Sequence, residues 1–238
     1  MKLSLKRHRE AHTKKTTGKM NWLRAAVLGA NDGIISLAAL VVGVAGATNS
    51  TGHILVTGIA GLFAGALSMA VGEYVSVSSQ RDTEKALLEK ERFELKHYPK
   101  EEFQELIAIY EKKGLKRETA ETVAKELTKH DAFTAHAEAE LGINAKKLTN
   151  PWSAALASAA SFTAGALIPL IAIAFPAAPY RVTATFGAVV VALIATGVLS
   201  ARASGANAGD ATFRVVAGGL LAMVVTFGIG RVFGQAGL

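Results

Sequence analysis

GIISLAALVVGVAGATNSTGHILVTGIAGLFAGALSMAVG, the run from Gly33 to Gly72, contains no Asp, Glu, Lys or Arg. A helix rising ~1.5 Å per residue crosses the ~30 Å hydrocarbon layer of a bilayer in about 20 apolar residues, so this run is long enough for two crossings. The polar, turn-prone segment Ala47 to His53 (ATNSTGH) divides it. The first span is therefore placed at about Trp22 to Ala47 and the second at about His53 to Ser79. Further charge-free runs follow at Leu148 to Tyr180, Val182 to Ala201 and Val215 to Gly230. They place spans at Pro151 to Phe175, closed by the turn Pro176-Ala-Ala-Pro179, at Val182 to Ala201, and at about Phe213 to Val232. The expected fold class is all-α, an integral membrane protein with five transmembrane helices.

The chain has 238 residues and a formal net charge of +7. Such basicity admits nucleic acid, an anionic membrane face, or simple positive-inside topology, and its distribution decides among them. Cations crowd the segment before the first span, from Lys2 to Arg24, whereas the first loop on the far side has none and the second has only Arg181. The loop after span four, with Arg202 and Arg214, falls on the cationic side again. The N-terminus is thus expected in the cytosol and the C-terminus on the opposite side, with no nucleic-acid partner. Residues 1–20 have no apolar core, so they read as a basic cytosolic segment lying against lipid and not as a cleavable signal peptide. The absence of cysteine excludes disulfides, thiolate ligands and thiol redox chemistry, leaving oxygen, nitrogen and thioether groups for any metal site.

Between spans two and three lies a polar insert, which divides the chain into residues 1–20, 21–79, 80–149 and 150–238. The insert holds nearly all the acidic residues and is expected to be a cytosolic three-helix domain. Arg81 to Lys96 continues span two, Pro99 opens a second helix that runs to Lys113 and is closed by Gly114, and Lys116 to Leu141 forms a third, stopped by Gly142. Ala-Gly-Ala-Leu occurs at Ala64 to Leu67 and again at Ala164 to Leu167. It reads either as a trace of an internal repeat or as small residues that let helices approach closely, as does Gly61-x-x-x-Gly65.

Several side chains can carry chemistry. Asp32, in Gly29-Ala-Asn-Asp-Gly33, falls inside the first span, where a carboxylate costs several kcal/mol unless it faces a cavity, a partner or a proton. The bland alternative is an acid that snorkels to water. Met69 and Glu73 are four residues apart on one helical face, and a carboxylate beside a thioether suits Fe2+ or Mn2+ better than Mg2+ or Ca2+; Met69 alone would simply pack. In the insert, Glu91 with Glu94 and Glu102 with Glu105 are pairs spaced three apart on successive helices, which can face each other and clamp a cation. His136 and Glu140 share a face of the third helix, with Asp131 and Glu138 on an adjoining one. The competing reading is a solvated surface of ion pairs. Glu94-Leu-Lys-His97 is the Glu-x-x-His of ferritin-like di-iron sites, but a single copy does not make such a site. No enzymatic activity and no resident cofactor are expected.

Trp22-Leu-Arg-Ala-Ala-Val-Leu-Gly-Ala-Asn-Asp-Gly-Ile-Ile-Ser36 and Ser68-Met-Ala-Val-Gly-Glu-Tyr-Val-Ser-Val-Ser-Ser-Gln-Arg-Asp82 closely resemble the vacuolar iron transporter family. Pro151, Ala164-Gly-Ala-Leu-Ile-Pro169, and Arg214 with Gly218-Gly219 also fit, and Asp131-Ala-Phe-Thr-Ala-His136 with Glu140-Leu-Gly142 looks like the bacterial branch, which implies a bacterial inner membrane. The resemblance implies a dimer, a cytosolic metal-binding domain, and proton-coupled export of Fe2+, Mn2+ and related ions. By motif position, Asp32 and Met69 match residues lining the translocation path and Glu73 one near its cytosolic mouth. Glu91, Glu94, Glu102 and Glu105 match the family's glutamate pairs. The third insert helix departs from the plant members, which use Met there; here His136 and Glu140 stand in.

Overall fold

The computed structural model describes residues 14–236 and, with the exception of residue 203, their side chains from residue 26 onward. The reading of residues 1–20 as a lipid-facing basic segment lies outside the described residues up to residue 13, and its remaining side chains are not described. The fold is all-helical, with α1 Lys14–Ala47, α2 Thr51–His97, α3 Pro99–Lys112, α4 Arg117–Ala139, α5 Pro151–Ala174, α6 Arg181–Ser204 and α7 Ala208–Gln235. Five of these, α1, α2, α5, α6 and α7, are long and apolar enough to cross a membrane. α1 begins before Trp22, since nothing between Lys14 and Trp22 breaks a helix more strongly than the lone Gly18. α2 is 47 residues long, about twice what the hydrocarbon layer requires. Its charge-free part ends at Gly72, and the acidic and basic residues begin at Glu73.

The described residues divide into two compact units, those up to Gly72 with those from Ala155 onward, and residues 73–154. In the first, α1 is the central helix. Ile34, Leu37, Ala38, Val41 and Val42, spaced along one stripe, are buried with Ile54, Leu62, Phe162, Ala166, Leu193 and Met223 from the surrounding helices. Lipid tails are as apolar as these side chains, so association depends on close packing and not on expelling water. Glycine supplies the closeness. A Cβ on Gly33 would meet the carbonyl oxygen of Phe162, and one on Gly165 would meet that of Ala30, so α1 and α5 cross backbone to backbone. The two Ala-Gly-Ala-Leu strings mark such contacts, since Gly65 lies under the Phe162 ring and Gly165 against Ala30. The opposite face of α2 leaves Val56, Ile59, Phe63, Leu67 and Val71 exposed, as a lipid-facing surface requires.

In the second unit, Pro99 opens α3, where a missing N–H costs nothing, and Glu101 and Glu102 fill its first turn. Gly114 (φ 97°) and Gly142 (φ 66°) take the left-handed conformation that ends a helix. Ala120 and Ala124 of α4 pack on Leu106 and Ile107 of α3. A second cluster joins Leu88 of α2 to Ala137 and Ile143. The third insert helix, expected to be unbroken from Lys116 to Leu141, is broken at Asp131, whose backbone is extended (φ −165°, ψ 90°).

Candidate metal centre

Glu91 projects from the distal part of α2, Glu102 from the first turn of α3, and His136 and Glu140 from the last turn of α4 and just beyond it. One potential ligand atom from each lies within 4.8 Å of all the others. His136 Nδ1 is 3.0 Å from Glu91 Oε1, 3.6 Å from Glu102 Oε2 and 3.8 Å from Glu140 Oε2. Metal–oxygen and metal–nitrogen bonds to a transition ion run ~2.0–2.2 Å, so ligands around one ion stand up to about 4.4 Å apart. The three distances from His136 fall inside that limit, so these ligand atoms already stand close to the spacing of a coordination shell.

The carboxyl of Glu91 and the ring of His136 are almost wholly buried, at 2% and 1% exposure. Among the described residues, Glu91 Oε1, Glu102 Oε2 and His136 Nδ1 are buried without a hydrogen-bond partner; the 3.0 Å pair has the distance of a contact but not the angles of a hydrogen bond. Buried polar atoms left unpaired cost about 1–3 kcal/mol each, and three converging on one point are what a cation would satisfy.

Electrostatics agree with this chemistry. Burial, reinforced by repulsion from Glu140 and Glu102, pushes the Glu91 carboxyl up to about 8. Burial also raises Glu102, with Glu105 and Glu94 adding repulsion. His136 is held below its ordinary value because burial outweighs the attraction of Glu140 and Glu105. Near neutral pH the cluster therefore holds a protonated Glu91 and a neutral imidazole. A divalent cation entering it displaces protons and gains a nitrogen lone pair.

Of the two glutamate pairs, one member of each enters the cluster. Glu94 instead pairs with Lys90 at 3.2 Å, and Glu105 is exposed; both act on the site only at a distance. His97 ends α2, with Nδ1–H donating to the Phe93 carbonyl at 2.8 Å and the ring stacked on Phe93, and it takes no part. Glu138 is exposed, and Asp131 caps a helix turn.

The membrane unit has its own candidate. Asp32 and Met69 line one cavity of about 210 Å³, together with Ser36, Gly61, Ser68 and Phe162. Ser36 Oγ–H donates to Asp32 Oδ1 at 2.9 Å. A carboxylate and a thioether facing one cavity inside apolar helices form a donor pair suited to a borderline transition metal. Ser36 was not singled out from the sequence, although its position four residues after Asp32 puts it on the same face. Glu73 is exposed at the start of the charged part of α2.

Residues 23–231 match the sequence profile of the VIT family. The chain belongs to the VIT family. It is 46% identical over 218 residues to a vacuolar iron transporter of Acanthamoeba castellanii, an alignment covering 91% of this chain and 80% of that relative. It is 38% identical over 222 residues to vacuolar iron transporter homolog 1 of Oryza sativa subsp. japonica, covering 92% and 77%. It is also 36% identical over 231 residues to vacuolar iron transporter homolog 2 of Arabidopsis thaliana, covering 97% and 93%. With its five apolar helices, this VIT-family chain is a multi-pass membrane protein.

Proposed function

We propose that the protein exports divalent transition-metal ions, Fe2+ first and Mn2+ among the others, from the cytosol in exchange for protons. The observation that carries the metal reading is the convergence of three buried, unpartnered ligand atoms from three helices at Glu91, Glu102 and His136. The names of the relatives support iron as the cargo. The excess of cations before the first span supports a cytosolic N-terminus and insert, with the C-terminus across the membrane; the likeness of the insert to the bacterial branch of the family supports a bacterial inner membrane as that membrane.

In this reading the insert collects the ion, with Glu140 closing the shell and Glu94 and Glu105 adding the negative field that draws it in. Glu73, on the helix that carries both Glu91 and Met69, relays it. Asp32 and Met69 then hold it inside the membrane, where Asp32 binds either metal or proton. That competition for one carboxylate is the simplest basis of antiport. Two copies working side by side follow the family's implied dimer. A transporter accounts for an acid inside a span; a membrane-anchored sensor or a ferroxidase does not need one.

Flux in proteoliposomes loaded in turn with Fe2+, Mn2+, Co2+ and Zn2+, with and without a pH gradient, tests the proposal. Metal-specific flux driven by an outside-acid gradient is expected. Absence of flux with every metal overturns it.

A further inference from the structure

We propose that Asp131 is a positioning residue, whose carboxylate ends one stretch of α4 and starts the next so that His136 turns into the seam between α2 and α3. This rests on the reading of Glu91, Glu102, His136 and Glu140 as a metal site. Asp131 itself is outside that group. Its backbone is extended in the middle of a helix. Asp131 Oδ1 accepts from Thr134 N–H at 3.0 Å and Oδ2 from Thr134 Oγ–H at 2.6 Å, which is an N-cap bond to the third residue of a new helix. Lys146 Nζ, on a largely exposed side chain, stands 3.7 Å from Oδ2.

The stretch before the break packs Ala120 and Ala124 on the Leu106 and Ile107 surface of α3. The stretch after it serves two neighbours. Ala135 and Ala139 touch the α3 cluster, while Ala137 and Phe133 pack with Leu88 of α2, and the Phe133 ring lies 4.5 Å from the Arg92 guanidinium carbon. At 100° per residue, His136 falls between those two faces and is thereby aimed at Glu91 and Glu102. Without the cap, the good helix formers on both sides, Lys125-Glu126-Leu127 before the break and Ala132, Ala135 and Ala137 after it, favour an uninterrupted helix, which carries His136 away from the seam.

The test uses the full chain purified in detergent. Mn2+ binding is read by calorimetry, and hydrogen exchange of amides 132–139 is read in the metal-free protein. Asp131→Ala is expected to weaken Mn2+ binding about fivefold, the factor typical of a lost N-cap, and to alter exchange in that segment. Asp131→Asn and Asp131→Ser, which still cap, are expected to rescue both. Wild-type affinity and exchange in Asp131→Ala overturn the inference. So does an Asn variant as impaired as the Ala one, because charge and not capping would then be the role. Should Asp131→Ala fail to fold, the Asn and Ser variants decide by the same criterion. If the wild type binds no Mn2+, the metal reading fails, and the exchange arm still decides whether Asp131 sets the break.

Discussion

Glu91 Oε1 and His136 Nδ1 stand 3.0 Å apart, from helices separated by the whole of α3, in surroundings that leave each almost inaccessible to water. Burial pushes their protons in opposite directions relative to charge: it keeps the acid protonated and the imidazole neutral. The pair is neutral at rest, and a cation entering the proposed site would displace the proton from Glu91.

Metal affinity at this cluster should rise with pH. The ion must displace the proton on Glu91, which leaves at about 8, so affinity is expected to climb about tenfold per pH unit below that value and to level off above it. Calorimetry with Mn2+ in buffers of different ionisation enthalpy counts the released proton. Glu91→Gln should lose most of the affinity and the pH slope together; an unchanged slope would assign the proton elsewhere.

The metal-free protein should respond to pH in two windows. Glu91 binds its proton more tightly when folded, so its contribution to stability is present below about 4.5 and is lost as pH rises toward about 8. His136, lowered in the fold, works in the other sense: stability falls as pH drops below 6.5 and the unfolded chain takes up the proton. Thermal unfolding at pH 8 should therefore improve in Glu91→Gln, while Mn2+ should stabilise only the wild type.

Asp32→Asn should abolish transport while leaving the protein folded, because the amide keeps the shape and loses the titratable charge. Size-exclusion chromatography and proteoliposome flux together check this. Wild-type flux would remove Asp32 from the path.

Met69 cannot titrate, so Met69→Leu should lower metal affinity or shift selectivity toward harder ions without uncoupling the remaining flux from protons. Glu73→Gln should reduce both metal entry and its pH dependence. Parallel metal-dye and pH-dye recordings distinguish these. Metal flux indifferent to the pH gradient in the wild type would favour a channel over an antiporter.

Gly33→Ala should destabilise the membrane unit by ~1–3 kcal/mol, since the new methyl meets the backbone of Phe162 and Ala166 and neither can yield without moving α5. Gly72→Ala is the control, with nothing within 4 Å of its added Cβ. Equal melting of the two variants in detergent would mean that the crossing of α1 and α5 is looser than described.

The sequence alone determined the helical class and the five apolar helices, because hydrocarbon acts on each residue where it stands and excludes charge over a fixed length. Pro99, Gly114 and Gly142 likewise announced helix ends through their own backbone chemistry. The acids that converge were not separable in this way. Glu91 and Glu94 differ by three residues and share nearly the same helix face, yet Glu91 is buried in the cluster while Glu94 faces Lys90. That choice depends on the rotation of α2 against α3 and α4, which no local rule encodes. The break at Asp131 was equally hidden, since an aspartate inside a helical pattern becomes a cap only when the segment after it gains more by packing on Leu88 and Arg92 than by continuing straight. Local composition fixed what had to be helical and apolar; the packing phase of the helices decided which ligand atoms meet.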